Sequence, residues 1–140
     1  MKPNYKHVEV TEEIIGAFYE VYNALGFGFL EKIYENALAV ELKGRGLSVA
    51  QQAPIVVHYA GQVVGEHYAD LVVADCVIIE LKASKTLAPE HEAQLLNYLK
   101  STEYEVGLLL NFGPKAALKR KAFDNNRKGS LNWTSSTTKS

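Results

Sequence analysis

Cysteine is almost missing from this sequence: among 140 residues there is only Cys76, so no disulfide can form within the chain. That usage fits a reducing compartment. Long apolar runs are missing too. No stretch reaches the roughly 18 apolar residues of a membrane span, and Met1-Lys2-Pro3-Asn4-Tyr5-Lys6-His7 has no apolar leader core. The expectation is a cytoplasmic protein with no membrane partner. Zinc-ligand spacing is absent, because His7, His58, His67 and His91 are scattered. His58 and His67 fall in strand-like segments and read as satisfied sheet residues. There is no glycine-rich phosphate loop and no Ser/His/Asp pattern, and Cys76 has no basic partner nearby in sequence. Zinc, P-loop and nucleophilic-triad chemistry are therefore left without support.

What is present is ordinary in bulk and uneven in detail. A length of 140 residues suits one domain with a real core. We read residues 1–128 as that domain and the Ser/Thr-rich segment 129–140 as a disordered polar tail. The formal net charge of −1 hides a basic end: Lys115, Lys119, Arg120, Lys121, Arg127 and Lys128 stand against one acid, Asp124. Such a cluster can hold phosphates, or it can be the solvated face of an amphipathic helix.

Apolar residues recur at helical spacing through Ile14, Ile15, Phe18, Val21, Tyr22 and Leu25, with Thr11 as the expected N-cap. Gly26-Phe27-Gly28 breaks this helix. A second runs from about Phe29 to Lys43 and ends at Gly44-Arg45-Gly46. The period then shortens, giving strands over 54–59, 63–73 and 76–83, with Ala74-Asp75 as the tight turn of a hairpin that sets Asp70 close to Glu80. Pro89 suits the first turn of a third helix, 89–101. Val106-Gly107-Leu108-Leu109-Leu110-Asn111-Phe112 reads as a central strand buried on both faces. Residues 115–127 read as a final helix or an extended arm.

The residues that carry chemistry interrupt apolar strands. Glu80 and Lys82 break Val77-Ile78-Ile79-Glu80-Leu81-Lys82, and Asp70 breaks Tyr68-Ala69-Asp70-Leu71-Val72-Val73. Burying a charge costs several kcal/mol unless something compensates it. Glu80 and Lys82, two apart, share a sheet face. Two acids and a lysine suit a divalent metal, since Mg²⁺ needs only one or two carboxylates beside waters and a substrate phosphate. A buried Glu–Lys or Asp–Lys ion pair is the structural alternative. Gln94 and Tyr98 share a helix face four residues apart, and Glu31, Tyr34 and Glu35 lie on neighbouring faces of the second helix.

Gly28-x-x-Glu31-x-x-Tyr34 resembles the signature of the GxxExxY proteins, a bacterial and archaeal group within the PD-(D/E)XK nuclease superfamily. The likeness continues through Tyr68–Leu71, Glu80–Ala83, His91–Leu99 and Val106–Gly113, and spans about residues 8–125. It implies an α/β fold with a PD-(D/E)XK nuclease-like core: a mixed sheet of about four strands flanked by helices in the order ααβββαβα. It also implies that Asp70, Glu80 and Lys82 are the defining acid, acid and lysine. Glu31 matches an acid of the first core helix, and Gln94 and Tyr98 match the Gln-x-x-x-Tyr motif of an exonuclease branch. Ala69 departs from the founding pattern, which has proline there.

The resulting expectation is a nuclease dependent on Mg²⁺ or Mn²⁺ that acts on DNA, with RNA as the second choice. Asp70, Glu80, Glu31 and the Leu81 carbonyl would hold metal, Lys82 would assist the nucleophile, and Gln94 and Tyr98 would position the phosphate. Lys115, Lys119, Arg120 and Lys121 would hold flanking phosphates. Dimerisation suits so small a nuclease, although no interface is specified. The rival is a non-catalytic nucleic-acid-binding or protein-interaction module on the same scaffold.

Overall fold

The computed structural model describes residues 6–128, so the expected polar tail lies outside the described residues. Its elements in chain order are α1 (Val8–Leu25), α2 (Glu31–Gly44), β1 (Val49–Tyr59), β2 (Gln62–Val73), β3 (Val77–Lys82), α3 (Pro89–Lys100), β4 (Val106–Phe112) and β5 (Ala116–Ala122). A short 3₁₀ turn, Asn125–Arg127, follows. The five strands lie in sequence order in one sheet. Neighbours are antiparallel except β3 and β4, which are parallel and therefore need the crossover that α3 provides.

The sheet separates two cores. On one face, Ile14 and Phe18 of α1 and Tyr34, Leu38 and Leu42 of α2 pack against Leu71, Val73, Ile79, Leu81, Leu110 and Phe112. On the other, Leu95, Tyr98 and Leu99 of α3 cover Ile55, Val72, Ile78 and Leu109. With both faces covered, β4 has all seven residues buried, as its unbroken apolar run requires.

Three local expectations are corrected. Thr11 does not cap α1: the helix already starts at Val8, and the Thr11 hydroxyl donates to the Val8 carbonyl at 3.0 Å. The first strand begins at Val49, five residues before the expected Pro54. Its polar start, Gln51-Gln52, conceals it, and Pro54 is tolerated because β1 is an edge strand. Residues 116–122 form neither a helix nor an arm but a fifth strand, paired along β4. Ala, Leu, Lys and Arg are good helix formers. Even so, only the alternate residues Ala116 and Leu118 meet the α1/α2 core, a period of two that suits the open edge of β4.

One irregularity sets up the site. Gln52 has φ 51°, the left-handed region that a residue with a side chain seldom enters. On one side of it, Val49, Leu71 and Val73 pack toward α1 and α2; on the other, Ala53, Ile55 and Ala69 pack toward α3. Strict alternation would put Ala69 and Leu71 on one face. Instead the phase changes between them. Asp70 occupies the change, opposite Gln52, between the paired positions Gln51↔Leu71 and Ala53↔Ala69.

Candidate active site

The β2–β3 ladder runs from Val73↔Val77 to Leu71↔Ile79 and stops. At the next step the two acids replace it. Glu80 Oε2 accepts the Asp70 N–H at 3.0 Å, and Asp70 Oδ2 accepts the Leu81 N–H at 2.7 Å. Each carboxylate is thus fixed by a backbone amide of the opposite strand. A strand residue directs its N–H and C=O to the same side, so the Leu81 carbonyl opens onto the same gap.

These charges are costly. Glu80 is 6% exposed, and burial, then the neighbouring Asp70 charge, push its carboxyl up to about 8. Burial also raises Asp70, with Glu35 and Glu31 adding to the effect. Tyr98, on the α3 side of the sheet, is raised chiefly by burial and then by the Glu80 and Asp70 charges. The Lys82 charge partly offsets the shift of Glu80. Among the described residues, however, Lys82 makes no ion pair or hydrogen bond with either acid. The acids are therefore not held as a structural ion pair.

Glu31 opens α2, and its charge raises both Asp70 and Glu80. It does not close onto them. Among the described residues, no group of three or more His, Cys, Asp or Glu side chains could hold a metal ion. The oxygens that could serve a metal at the split are therefore those of Asp70 and Glu80, with the Leu81 carbonyl beside them. Hard oxygen donors of this kind fit Mg²⁺ or Mn²⁺, which complete their shells with water and phosphate.

Gln94 Nε2 donates to the Tyr98 hydroxyl at 3.1 Å. Both line a cleft of about 720 Å³ between α3 and the β1–β2 hairpin, together with Val57, His67, His91 and Asn97. The His67 and Tyr98 rings are 5.5 Å apart there. His91 Nδ1 accepts the Ala88 N–H at 3.2 Å and so helps to start α3. His58 departs from expectation, since its buried Nδ1 has no hydrogen-bond partner among the described residues.

The basic residues do not converge. Lys119 lies in the row Glu80↔Leu109↔Lys119, two strand spacings from the acid, or roughly 10 Å of backbone. Lys121 pairs with Glu92 at 2.8 Å. Arg120 faces the other side of the sheet and donates to the Lys6 carbonyl at 2.9 Å. Lys115 is exposed in the β4–β5 turn. The strand alternation divides between two faces what a helix would have gathered on one.

Glu35 received no role from the sequence, yet it is buried at 4% exposure. It accepts from Lys32 at 3.1 Å, Gln51 at 2.8 Å and Gln52 at 3.0 Å. Its signal was available: Glu35, Leu38 and Leu42 follow helical spacing, and an acid within a core stripe needs partners. The Gly28–Tyr34 motif also acquires a reason. Gly28 has φ 118°, a conformation that glycine readily adopts. The Tyr34 hydroxyl donates to the Gly26 carbonyl at 2.6 Å and accepts the Phe29 N–H at 3.2 Å. That clasp sets where α2, and therefore Glu31, begins.

A split mixed sheet with two acids at the split and a lysine two residues on defines a nuclease-type α/β fold. The model of the PD-(D/E)XK nuclease superfamily matches residues 8–122, and the chain belongs to that superfamily. The crystal structure of SSO0001 aligns with a TM-score of 0.52 at 22% identity, over 94% of this chain and 67% of that one. An alkaline exonuclease from Laribacter hongkongensis, LHK-Exo, aligns at 0.46 and 14% identity, over 88% and 74%. No curated protein matches the sequence.

Proposed function

We propose that this protein hydrolyses phosphodiester bonds of DNA in a reaction dependent on Mg²⁺ or Mn²⁺, and that within its superfamily it is one of the GxxExxY proteins. The observation that carries the reading is the Asp70–Glu80 pair: a half-buried and a buried carboxylate fixed by each other's strands, with no lysine or arginine among the described residues bonded to either. Retaining so costly an arrangement is explained if a cation is bound there. Asp70, Glu80 and the Leu81 carbonyl would hold it, with Glu31 adding its charge from the start of α2. A divalent cation supplies charge neutralisation at the phosphate and a more acidic water.

The chain's own residues supply the rest. Lys82, on the Glu80 face and unengaged by either acid, orients the attacking water and balances charge that grows on the phosphate. Gln94 and Tyr98, tied together at the cleft mouth, hold the scissile phosphate in place. Lys115 and Lys119 serve flanking phosphates, and Lys121, on the Lys119 face, can join them once released from Glu92. The preference for DNA follows from the Gln-x-x-x-Tyr likeness to an exonuclease branch.

The test is calorimetric titration of Mn²⁺ into the wild type and Asp70→Asn, with and without a short DNA, followed by cleavage assays on DNA and RNA. Binding of one or two ions, lost in the variant, together with metal-dependent cutting is the expected result. Salt-dependent DNA binding with no cutting in any metal would support a binding module instead.

A further inference from the structure

We infer that Gln52 is a positioning residue for Asp70, aiming that carboxylate at the metal; this rests on the metal reading above. Gln52 stands where β1 and β2 change phase, in a left-handed conformation with φ 51°. Its side-chain Nε2 lies 3.0 Å from Glu35 Oε1 and 3.4 Å from Asp70 Oδ1. Both neighbours are carboxylates, which in their ionised form only accept, so the nitrogen and not the oxygen of the amide must face them. The amide therefore spans two acids that would otherwise repel, and Glu35 raises Asp70 through its charge.

The division of labour follows from the distances. Asp70 Oδ2 is consumed by the Leu81 N–H at 2.7 Å. Oδ1 has the longer, weaker contact to Gln52, which fixes its direction while leaving lone-pair density for a cation. Gln52 is in turn held by Glu35, and Glu35 by Lys32 and Gln51. A chain of polar contacts, buried at Glu35 and open to solvent at Gln52, thus runs from α2 to the proposed ligand. Non-glycine residues with positive φ carry strain that the surroundings must impose, and here the strained backbone puts the amide between the two acids. Outer partners of this kind change metal affinity about 10–100-fold when removed.

The test is Gln52→Gly in the full chain, a change that keeps the left-handed backbone accessible while deleting the amide. Mn²⁺ alone is titrated calorimetrically into wild type, Gln52→Gly and Asp70→Asn, and thermal midpoints are read in EDTA. We expect Gln52→Gly to weaken Mn²⁺ binding about 10–100-fold. The Mn²⁺ concentration for half-maximal DNA cleavage should rise in step, with the rate at saturating Mn²⁺ within about threefold of wild type, as a lost ground-state contact predicts. A changed thermal midpoint with unchanged Mn²⁺ affinity would make Gln52 merely structural and overturn the inference, while the metal site stood on Asp70→Asn. Absence of Mn²⁺ binding by the wild type, with or without DNA, would overturn both.

Discussion

Asn111 and Ser84 exchange two hydrogen bonds across the end of the parallel pair: the Ser84 N–H reaches Asn111 Oδ1 at 3.0 Å, and Asn111 Nδ2 reaches the Ser84 carbonyl at 2.9 Å. The ladder proper ends one step earlier, at Lys82↔Asn111. The amide side chain therefore continues it by imitating a backbone partner, and it tethers the chain two residues beyond Lys82. Gly113 completes the fit, since a Cβ there would overlap the Ser84 carbonyl oxygen. Asn111→Ala should lower stability by about 1–3 kcal/mol, the cost of leaving two backbone groups unpaired. The urea midpoint measures it, and faster hydrogen exchange of the Ser84 amide should accompany it.

Glu80 gives a pH dependence with an unusual sign. Its carboxyl stands at about 8 when folded, against an ordinary 4.5. Between those values the folded protein holds a proton that the unfolded chain has lost, so stability falls as pH rises through that window and levels off above it. The total is on the order of a few kcal/mol. Denaturant titrations of the metal-depleted wild type and Glu80→Gln between pH 4 and 9 should show a falling contribution in the wild type that the variant lacks. Equal slopes would contradict it.

Lys82→Ala separates chemistry from folding. The side chain is half-buried and bonded to neither acid, so the change should alter the thermal midpoint little. Cleavage should fall at least about 100-fold, the usual loss when a charge-stabilising donor is removed. A variant that cuts at the wild-type rate would remove Lys82 from the mechanism.

Tyr34→Phe tests the clasp ahead of α2. The ring is stacked on Phe112 with centroids 4.4 Å apart, and that contact survives the change. The bond to Gly26 and the acceptor for Phe29 do not. Stability should drop by roughly 1–2 kcal/mol, measured by urea unfolding. Mn²⁺ affinity should change less than in Asp70→Asn.

The sequence announced what depends on contrast. Charges inside apolar strands marked Asp70, Glu80 and Lys82, and the strand–turn–strand pattern brought the two acids together. Unbroken apolar character marked β4 as central. It announced poorly what depends on a partner from elsewhere. Ala116–Ala122 becomes a strand because β4 offers an open edge, which local propensity does not register. Nothing in the spacing of Gln51 and Gln52 pairs them with Glu35; the phase change in β1 brings the three together. A register that shifts face at one left-handed residue cannot be found by counting in twos.

The exchange of carboxylates and amides between Asp70, Glu80 and Leu81 equips the protein with its own reporters. The Asp70 and Leu81 amide protons are held by the two acids, so their NMR chemical shifts record whether each acid is charged, protonated or drawn toward a cation. Two backbone resonances, with no label at the acids themselves, would follow every ionic event in this gap of the sheet.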